Sequence, residues 1–314
     1  MLCVTFGLRP CRQFPSQNPL IGFAGYNSID SAYNGRSPYL NPKAYLERIK
    51  YSGSLVPNAE TLRALQLAHL LAVPFENLSI HAGEPITLSD DALFDKIVER
   101  RRGGFCYELN GLFAALLRAL GFEVAMLSAE VAKAEGGFGP DFDHMALMVS
   151  LDERWIVDVG FGDSFREPLL LDERGEQAQG ERAYRLVPDG KYLILLERDG
   201  GAEWKMQYRF TLRPHQYSDY VGMCCYHQTS PESHFTKTRI CSRATPEGRI
   251  TLSEMRFITS RVGHGRQERG LTNEADYAAI LREHFGIGNP CSPIYLSAMR
   301  SDGTSNAGLF LSVS

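Results

Sequence analysis

The stretch Arg101-Arg102-Gly103-Gly104-Phe105-Cys106-Tyr107-Glu108-Leu109-Asn110-Gly111-Leu112-Phe113 sets one cysteine at the mouth of a strongly patterned helix. Behind Cys106, Leu109, Leu112, Phe113, Leu116, Leu117 and Leu120 recur at helical spacing and stop at Gly121, a residue suited to the left-handed position after a helix. The pattern predicts a helix buried along one side with Cys106 in its first turn. Unpaired N–H groups and the positive dipole end there favour a thiolate, so a thiol pKa of about 8.5 in model peptides is expected to be lowered. Gly103 and Gly104 are expected to turn the chain sharply and leave room above the sulfur. The competing reading is a structural cysteine in an apolar helix.

A working thiol needs a base, and the base a group that fixes its tautomer. His144 opens the apolar run His144 to Val149, and Asp158 closes Trp155 to Asp158, with the polar turn Asp152-Glu153-Arg154 between them. This reads as a β-hairpin. The two positions lie an even number of residues apart, so a hairpin loop of odd length points both side chains to one face, and a loop of even length separates them.

These residues carry a family resemblance. Arg101 to Cys106, Glu108 to Phe113, Asp143-His144, and Trp155-Ile156-Val157-Asp158-Val159-Gly160-Phe161-Gly162 together resemble the arylamine N-acetyltransferases, and Pro74-Phe75-Glu76-Asn77-Leu78 matches a further signature of that family. The motifs follow the family's order over roughly Leu40 to Gly286. The resemblance implies that Cys106 is the nucleophile, His144 the base and Asp158 the orienting acid. It also implies an α+β fold with a cysteine-protease-like core of the papain and transglutaminase kind: a helical bundle, an antiparallel β-barrel and a C-terminal α/β lid, with the three residues where the first two meet.

Composition sets outer bounds. The 314 residues are 44% hydrophobic and 22% charged, as in an ordinary globular protein. A net charge of −4 offers no global attraction to nucleic acid or an anionic membrane, so an anionic ligand must meet a local patch. No apolar run approaches the roughly 18 residues of a membrane span. The seven cysteines, Cys3, Cys11, Cys106, Cys224, Cys225, Cys241 and Cys291, show neither paired zinc spacing nor disulfide density, which fits a reduced, cytoplasmic setting.

Residues 1–38, rich in Pro, Gly, Ser and Asn, read as a poorly ordered extension, and 288–314 as a polar tail. Between them we expect a helical bundle over 39–122, a β-barrel over 123–215 carrying His144 and Asp158, and a mixed lid over 216–287. Helices are expected after Asn41-Pro42, from Asn58 to Pro74, from Ser89, and from Glu274 to Phe285. Strands are expected at 123–126, 144–149, 155–159, 184–187, 192–197, 203–210, 236–242 and 249–252. The charged run Glu99 to Arg102 reads mainly as scaffold. Ala134 to Pro140 is a glycine-rich loop leading into His144, which makes Gly136, Gly137 and Phe138 candidate ligand contacts. Phe161, Gly162 and Phe235 are the other candidates, the last within Ser230 to Phe235, a segment resembling one that the family sets near its pocket. Cys224, Cys225, His227 and His234 fit no common zinc pattern, and no metal is expected.

The reaction implied by the resemblance is acetyl transfer from acetyl-coenzyme A, through a Cys106 thioester, to arylamines, arylhydrazines or N-arylhydroxylamines. Aromatic amines suit it, being mostly neutral at pH 7, whereas alkyl amines with pKa values near ~10.4 are protonated. Two alternatives stand beside it: an amide synthase of a natural-product pathway on the same scaffold, and a Cys-His-Asp hydrolase. The partners expected are small molecules, with no nucleic acid and no membrane, and the protein a monomer or homodimer.

Overall fold

The computed structural model describes residues 40–263 and 265–288. The extension 1–38 and, apart from Gly288, the tail 288–314 lie outside the described residues, as do Cys3, Cys11 and Cys291.

The helical part opens with α1 (Pro42–Arg48) and α2 (Ala59–Ala72), whose caps Asn41 and Asn58 accept from Ala44 N–H at 3.2 Å and Thr61 N–H at 2.8 Å. The short elements β1 (Phe75–Glu76), α3 (Leu78–His81) and α4 (Asp90–Phe94) follow. A π-helical turn over Asp95–Glu99 extends α4, and its wider winding turns Lys96, Ile97 and Val98 all inward. Helix α5 (Cys106–Ala119) is the axis of the molecule, with every residue from Cys106 to Leu117 buried.

Beyond α5 come β2 (Glu123–Val131), β3 (His144–Ser150), β4 (Arg154–Val157), β5 (Leu169–Leu170), β6 (Gln177–Gln179), β7 (Arg182–Asp189), β8 (Tyr192–Asp199) and β9 (Lys205–His215). They form one antiparallel sheet in the order β5-β4-β3-β2-β9-β8-β7-β6. The sheet curls into a nearly closed barrel, and its two ends meet through a side chain: Leu170 N–H donates to Gln177 Oε1 at 2.8 Å and Gln177 Nε2 donates to Leu170 O at 3.0 Å. One amide thus stands in for a strand's ladder. Leu127, Ala129, Ile156, Tyr184, Leu186, Leu195, Tyr208 and Phe210 fill the interior.

The remainder is α6 (Tyr217–Thr229), α7 (His234–Lys237), β10 (Ile240–Thr245), β11 (Gly248–Ser253), β12 (Arg256–Arg261), β13 (Gly265–Gly270) and α8 (Glu274–Phe285), which ends at left-handed Gly286. The second sheet runs β1-β10-β11-β12-β13, so Phe75 pairs with Ser242 and the early helical segment is stitched to the late sheet. Helix α8 covers that sheet through Tyr277, Ile280, Leu281 and Phe285.

Three expectations are corrected here. The mixed lid expected over 216–287 with one helix, Glu274 to Phe285, opens with a further helix, α6; Tyr220, Cys224 and His227 form its buried side, with Val221 and Tyr226 exposed. The strand expected at 236–242 begins at Ile240, because Ser233 caps α7 by accepting from Phe235 N–H at 3.2 Å. Gly103 and Gly104 do not make the turn: Arg101 does, with φ of 53°. Gly103 is small for another reason, since a Cβ there would lie 1.9 Å from the Pro74 carbonyl oxygen.

Candidate active site

Cys106 starts α5 because the preceding loop is clamped on both sides. From below, buried Arg48 donates to the carbonyls of Ala72 and Ile97, both at 2.9 Å, and to that of Arg102 at 3.2 Å. Alongside, Arg102 Nε donates to Glu76 Oε1 at 2.9 Å, and Lys96 Nζ to Glu108 Oε1 at 2.7 Å. The other Glu108 oxygen accepts from Phe105 N–H at 3.1 Å, which closes the helix start. The charged run is therefore partly buried scaffold. Glu76 and Glu108 each have a cation at hand; at Glu76 the cations and hydrogen bonds outweigh burial and hold the carboxyl below its usual range, whereas at Glu108 burial prevails and pushes it up.

His144 and Asp158 come from the β3–β4 hairpin, whose register pairs Ser150 with Arg154 and leaves the three-residue loop 151–153. The loop is odd, so both side chains fall on one face, and His144 Nε2 lies 2.7 Å from Asp158 Oδ2. Both residues are buried, at 2% and 3% exposure. Three further donors surround Asp158: Asn110 Nδ2 at 2.9 Å, Gly160 N–H at 2.8 Å and the Tyr208 hydroxyl at 3.1 Å. Burial works to raise its pKa, but the imidazole charge and these hydrogen bonds outweigh it and hold the carboxyl below the usual range. An ionised Asp158 is an acceptor only, so it accepts a hydrogen bond from Nε2–H and leaves Nδ1 as the basic nitrogen.

Cys106 and His144 line one cavity of about 530 Å³. Its walls are Phe75, Val131 and Phe161 on one side, α7 with His234 and Phe235 on another, and Ile240, Thr251 and Ile258 of the second sheet. Phe161 stands edge-on to His144 at 5.1 Å, and Phe235 edge-on to Phe105 at 5.5 Å. Gly160 lets the end of the hairpin reach the thiol: a Cβ there would sit 2.8 Å from Cys106 Cα. The groups able to meet an anion are Arg249 and Arg266, with the hydroxyls of Ser242 and Ser260 beside them. Arg249 is itself held 3.2 Å from Asp163.

The thiol departs from expectation. Burial pushes Cys106 well above its ordinary value, and the charges of Asp158 and Asp143 add to that, while a hydrogen bond from the Met145 backbone N–H offsets part of it. Desolvation here exceeds the helix-end effect. A thiolate at this position therefore needs a cation against it, and His144 lines the same cavity.

Of the candidates named from sequence, Cys106, His144, Phe161, Gly162 and Phe235 line the cavity and Asp158 stands behind His144. Gly136, Gly137 and Phe138 do not line it. Their loop folds back on its own strand through the Ala132–Phe138 bridge, and the Arg209 guanidinium covers the Phe138 ring at 4.4 Å. Two contributors carried no assignment in the sequence. Asn110 lies one helical turn after Cys106, a spacing that puts the two on one face, and it ties Asp158 to Met145 O at 2.6 Å and Val159 N–H at 2.9 Å. Tyr208 gave no signal beyond strand alternation.

This fold and this placement define a class: α+β proteins with a cysteine-protease-like core, a thiol at a helix start facing a carboxylate-held histidine. Within it, the family profile described as N-acetyltransferase matches residues 58–290. The chain is 36% identical over 255 residues to the arylamine N-acetyltransferase of Escherichia coli, covering 80% of this chain and 90% of that one. It is 31% identical over 256 residues to proansamycin X synthase of Amycolatopsis mediterranei, covering 76% and 94%. The solved arylamine N-acetyltransferase of Mycobacterium marinum in complex with CoA superposes with a TM-score of 0.73 at 33% identity, covering 79% and 93%. The chain belongs to the arylamine N-acetyltransferase family.

Proposed function

We infer that Cys106 carries the acetyl group, His144 moves the protons and Asp158 fixes the imidazole. The protein is an acyltransferase that moves acetyl from acetyl-coenzyme A to the nitrogen of an aromatic amine. The observation that carries the residue assignment is that Cys106 and His144 line one cavity while Asp158 holds the far nitrogen of His144 at 2.7 Å.

The first half-reaction follows from that geometry. Nδ1 of His144 takes the thiol proton, the sulfur attacks the donor thioester carbon, and the departing coenzyme A sulfur leaves with the proton. One thioester replaces another, so the step is nearly balanced. In the second half an amine attacks the acetyl carbon, His144 takes its proton, and the thiol is restored. Apolar walls at Phe75, Phe161 and Phe235 exclude water, the competing acceptor, and offer ring faces to an aryl group. Arylhydrazines and N-arylhydroxylamines present the same kind of neutral nucleophile. On this reading the region 39–122 presents the thiol, 123–215 the histidine and aspartate, and 216–287 covers the cavity. Four unpaired cysteines among the described residues support a reducing compartment, the cytoplasm. No described helix is long and apolar enough to cross a membrane.

Intact-protein mass spectrometry after mixing with acetyl-coenzyme A, without acceptor, tests the assignment. One added acetyl group in the wild type, absent in Cys106→Ser and discharged by an aromatic amine, is the expected result. An intact donor with no adduct overturns it. The Amycolatopsis relative supports a second reading, amide formation in a natural-product pathway. In that case free aromatic amines leave the acyl-enzyme undischarged.

A further inference from the structure

Two carboxylates line the cavity: Asp163, paired with Arg182 and Arg249, and Asp143, which the proposed half-reactions leave idle. Asp143 precedes His144 and lines the same cavity as Cys106. Behind it stand His227 of α6 and Ser233, each 3% exposed. The Phe235 N–H donates to Ser233 Oγ at 3.2 Å, and that oxygen lies 3.1 Å from His227 Nδ1. A hydroxyl that already accepts from the backbone has its proton free for Nδ1, which puts the ring proton on Nε2. His227 Nε2 stands 3.2 Å from Asp143 Oδ1, yet out of line for a hydrogen bond. The ring thus stands against the carboxylate without consuming its lone pairs. Ser233 is enclosed and occupied as the α7 cap, so it is no second nucleophile.

Asp143 is an odd neighbour for a thiol, since its charge opposes ionisation of Cys106. The electrostatic demand reverses in the second half-reaction. As the amine nitrogen bonds to the acetyl carbon it becomes positive and its two N–H groups become stronger donors, in a space walled mainly by Phe75, Val131, Phe161 and Phe235. An N–H left without a partner there is costly.

We propose that Asp143 is a second acceptor for the attacking nitrogen: His144 removes one proton, while Asp143 holds the other N–H and so aims the lone pair at the thioester carbon. This rests on Cys106 being the acetyl carrier. The nitrogen–carbon bond forms, the carbon–sulfur bond breaks with its electron pair going to sulfur, and the proton lost by nitrogen passes through His144 to that sulfur. Asp143 exchanges no proton in this step. Its recognition class is a primary aromatic amine or hydrazine, with two N–H groups on the attacking atom.

The test measures the half-reactions separately, acylation by acetyl-coenzyme A alone and discharge of the isolated acetyl-enzyme, for the wild type, Asp143→Ala and the isosteric Asp143→Asn. Discharge by aniline is expected to slow about tenfold or more in Asp143→Ala, and less in Asp143→Asn, which keeps one acceptor oxygen. Acylation stays within about twofold or quickens. The preference for aniline over N-methylaniline, which has a single N–H, shrinks in Asp143→Ala by a similar factor, because substrate group and side chain are parts of one contact. An unchanged discharge rate, or equal losses in both half-reactions and an unchanged aniline preference, overturns the proposal. A wild type that forms no acetyl-Cys106 is a separate failure, that of the carrier assignment. Where Asp143→Ala does not fold, the Asp143→Asn comparison decides by the same criteria.

Discussion

At the scale of single residues, the proposed chemistry depends on which nitrogen of His144 holds the proton. Asp158→Asn keeps the shape but offers an amide N–H toward Nε2, which moves the ring proton to Nδ1 and removes the base. The acylation rate is expected to fall about 10³–10⁴-fold with the melting temperature little changed; stopped-flow acylation beside a thermal melt checks this. His144→Gln exposes the burial of Cys106 directly. Without the imidazole, only the Met145 backbone N–H opposes the upward push of desolvation, so alkylation by iodoacetamide is expected to become appreciable only above the ordinary thiol range, about 9. Peptide mapping of modified Cys106 against pH gives the answer, and near-wild-type labelling at pH 7 refutes it. Sequence made Cys106, His144 and Asp158 legible, because thiol, base and acid are scarce residue types in a telling order. It left Asp143 and His227 unread, since their relation is a contact between segments about 80 residues apart.

At the scale of elements, the start of α5 is held by ion pairs that no local pattern announces. Arg102→Met strands Glu76, a carboxylate with 0% exposure whose nearest cation is Arg102 at 2.8 Å, and is expected to destabilise the protein by about 3–5 kcal/mol. Urea denaturation measures it; a loss under about 1 kcal/mol means that Lys96 alone compensates. Gly160→Ala acts by a different route. Its Cβ would push on Cys106 Cα at 2.8 Å and on Asn110 Nδ2 at 2.7 Å, so activity is expected to drop more than tenfold, with the larger part in acylation. The elements missed from sequence share a cause: β12 and β13 expose polar residues such as Arg256, Arg266, Gln267 and Glu268 instead of alternating, and α6 buries only a thin stripe. The α5 helix and the β3–β4 hairpin, with its apolar runs, were plain, although the pattern pointed to burial on one side of α5 and the structure encloses it all round.

At the scale of the whole molecule, stability carries a built-in acid limit. His69 of α2 is fully buried against Phe113 of α5, at 5.2 Å between rings, with the Tyr45 hydroxyl 3.0 Å from Nδ1. Burial lowers its pKa from 6.5 to about 3. The unfolded chain therefore takes up a proton that the folded one refuses: stability is whole above about pH 6.5 and drains away as pH falls toward about 3, by on the order of 4 kcal/mol. His69→Gln flattens that limb in urea titrations between pH 4 and 7, and an unaltered slope rules it out. The order helices, strands, mixed region could be foreseen from the chain, because periodicity changes at Gly121. The stitch of Phe75 to Ser242 could not, since pairing across such a distance leaves no trace in local pattern.

The β8–β9 turn, exposed over Asp199–Glu203, lies between the strands that hold the barrel together, for β9 pairs with both β8 and β2. A chain cut there yields two pieces, one keeping Cys106, His144 and Asp158, the other Tyr208, Phe235 and Arg249. Neither owns a finished cavity. Fused to two proteins that associate, the halves become a reporter whose colour, from loss of a diazotisable amine, tells when the two have met.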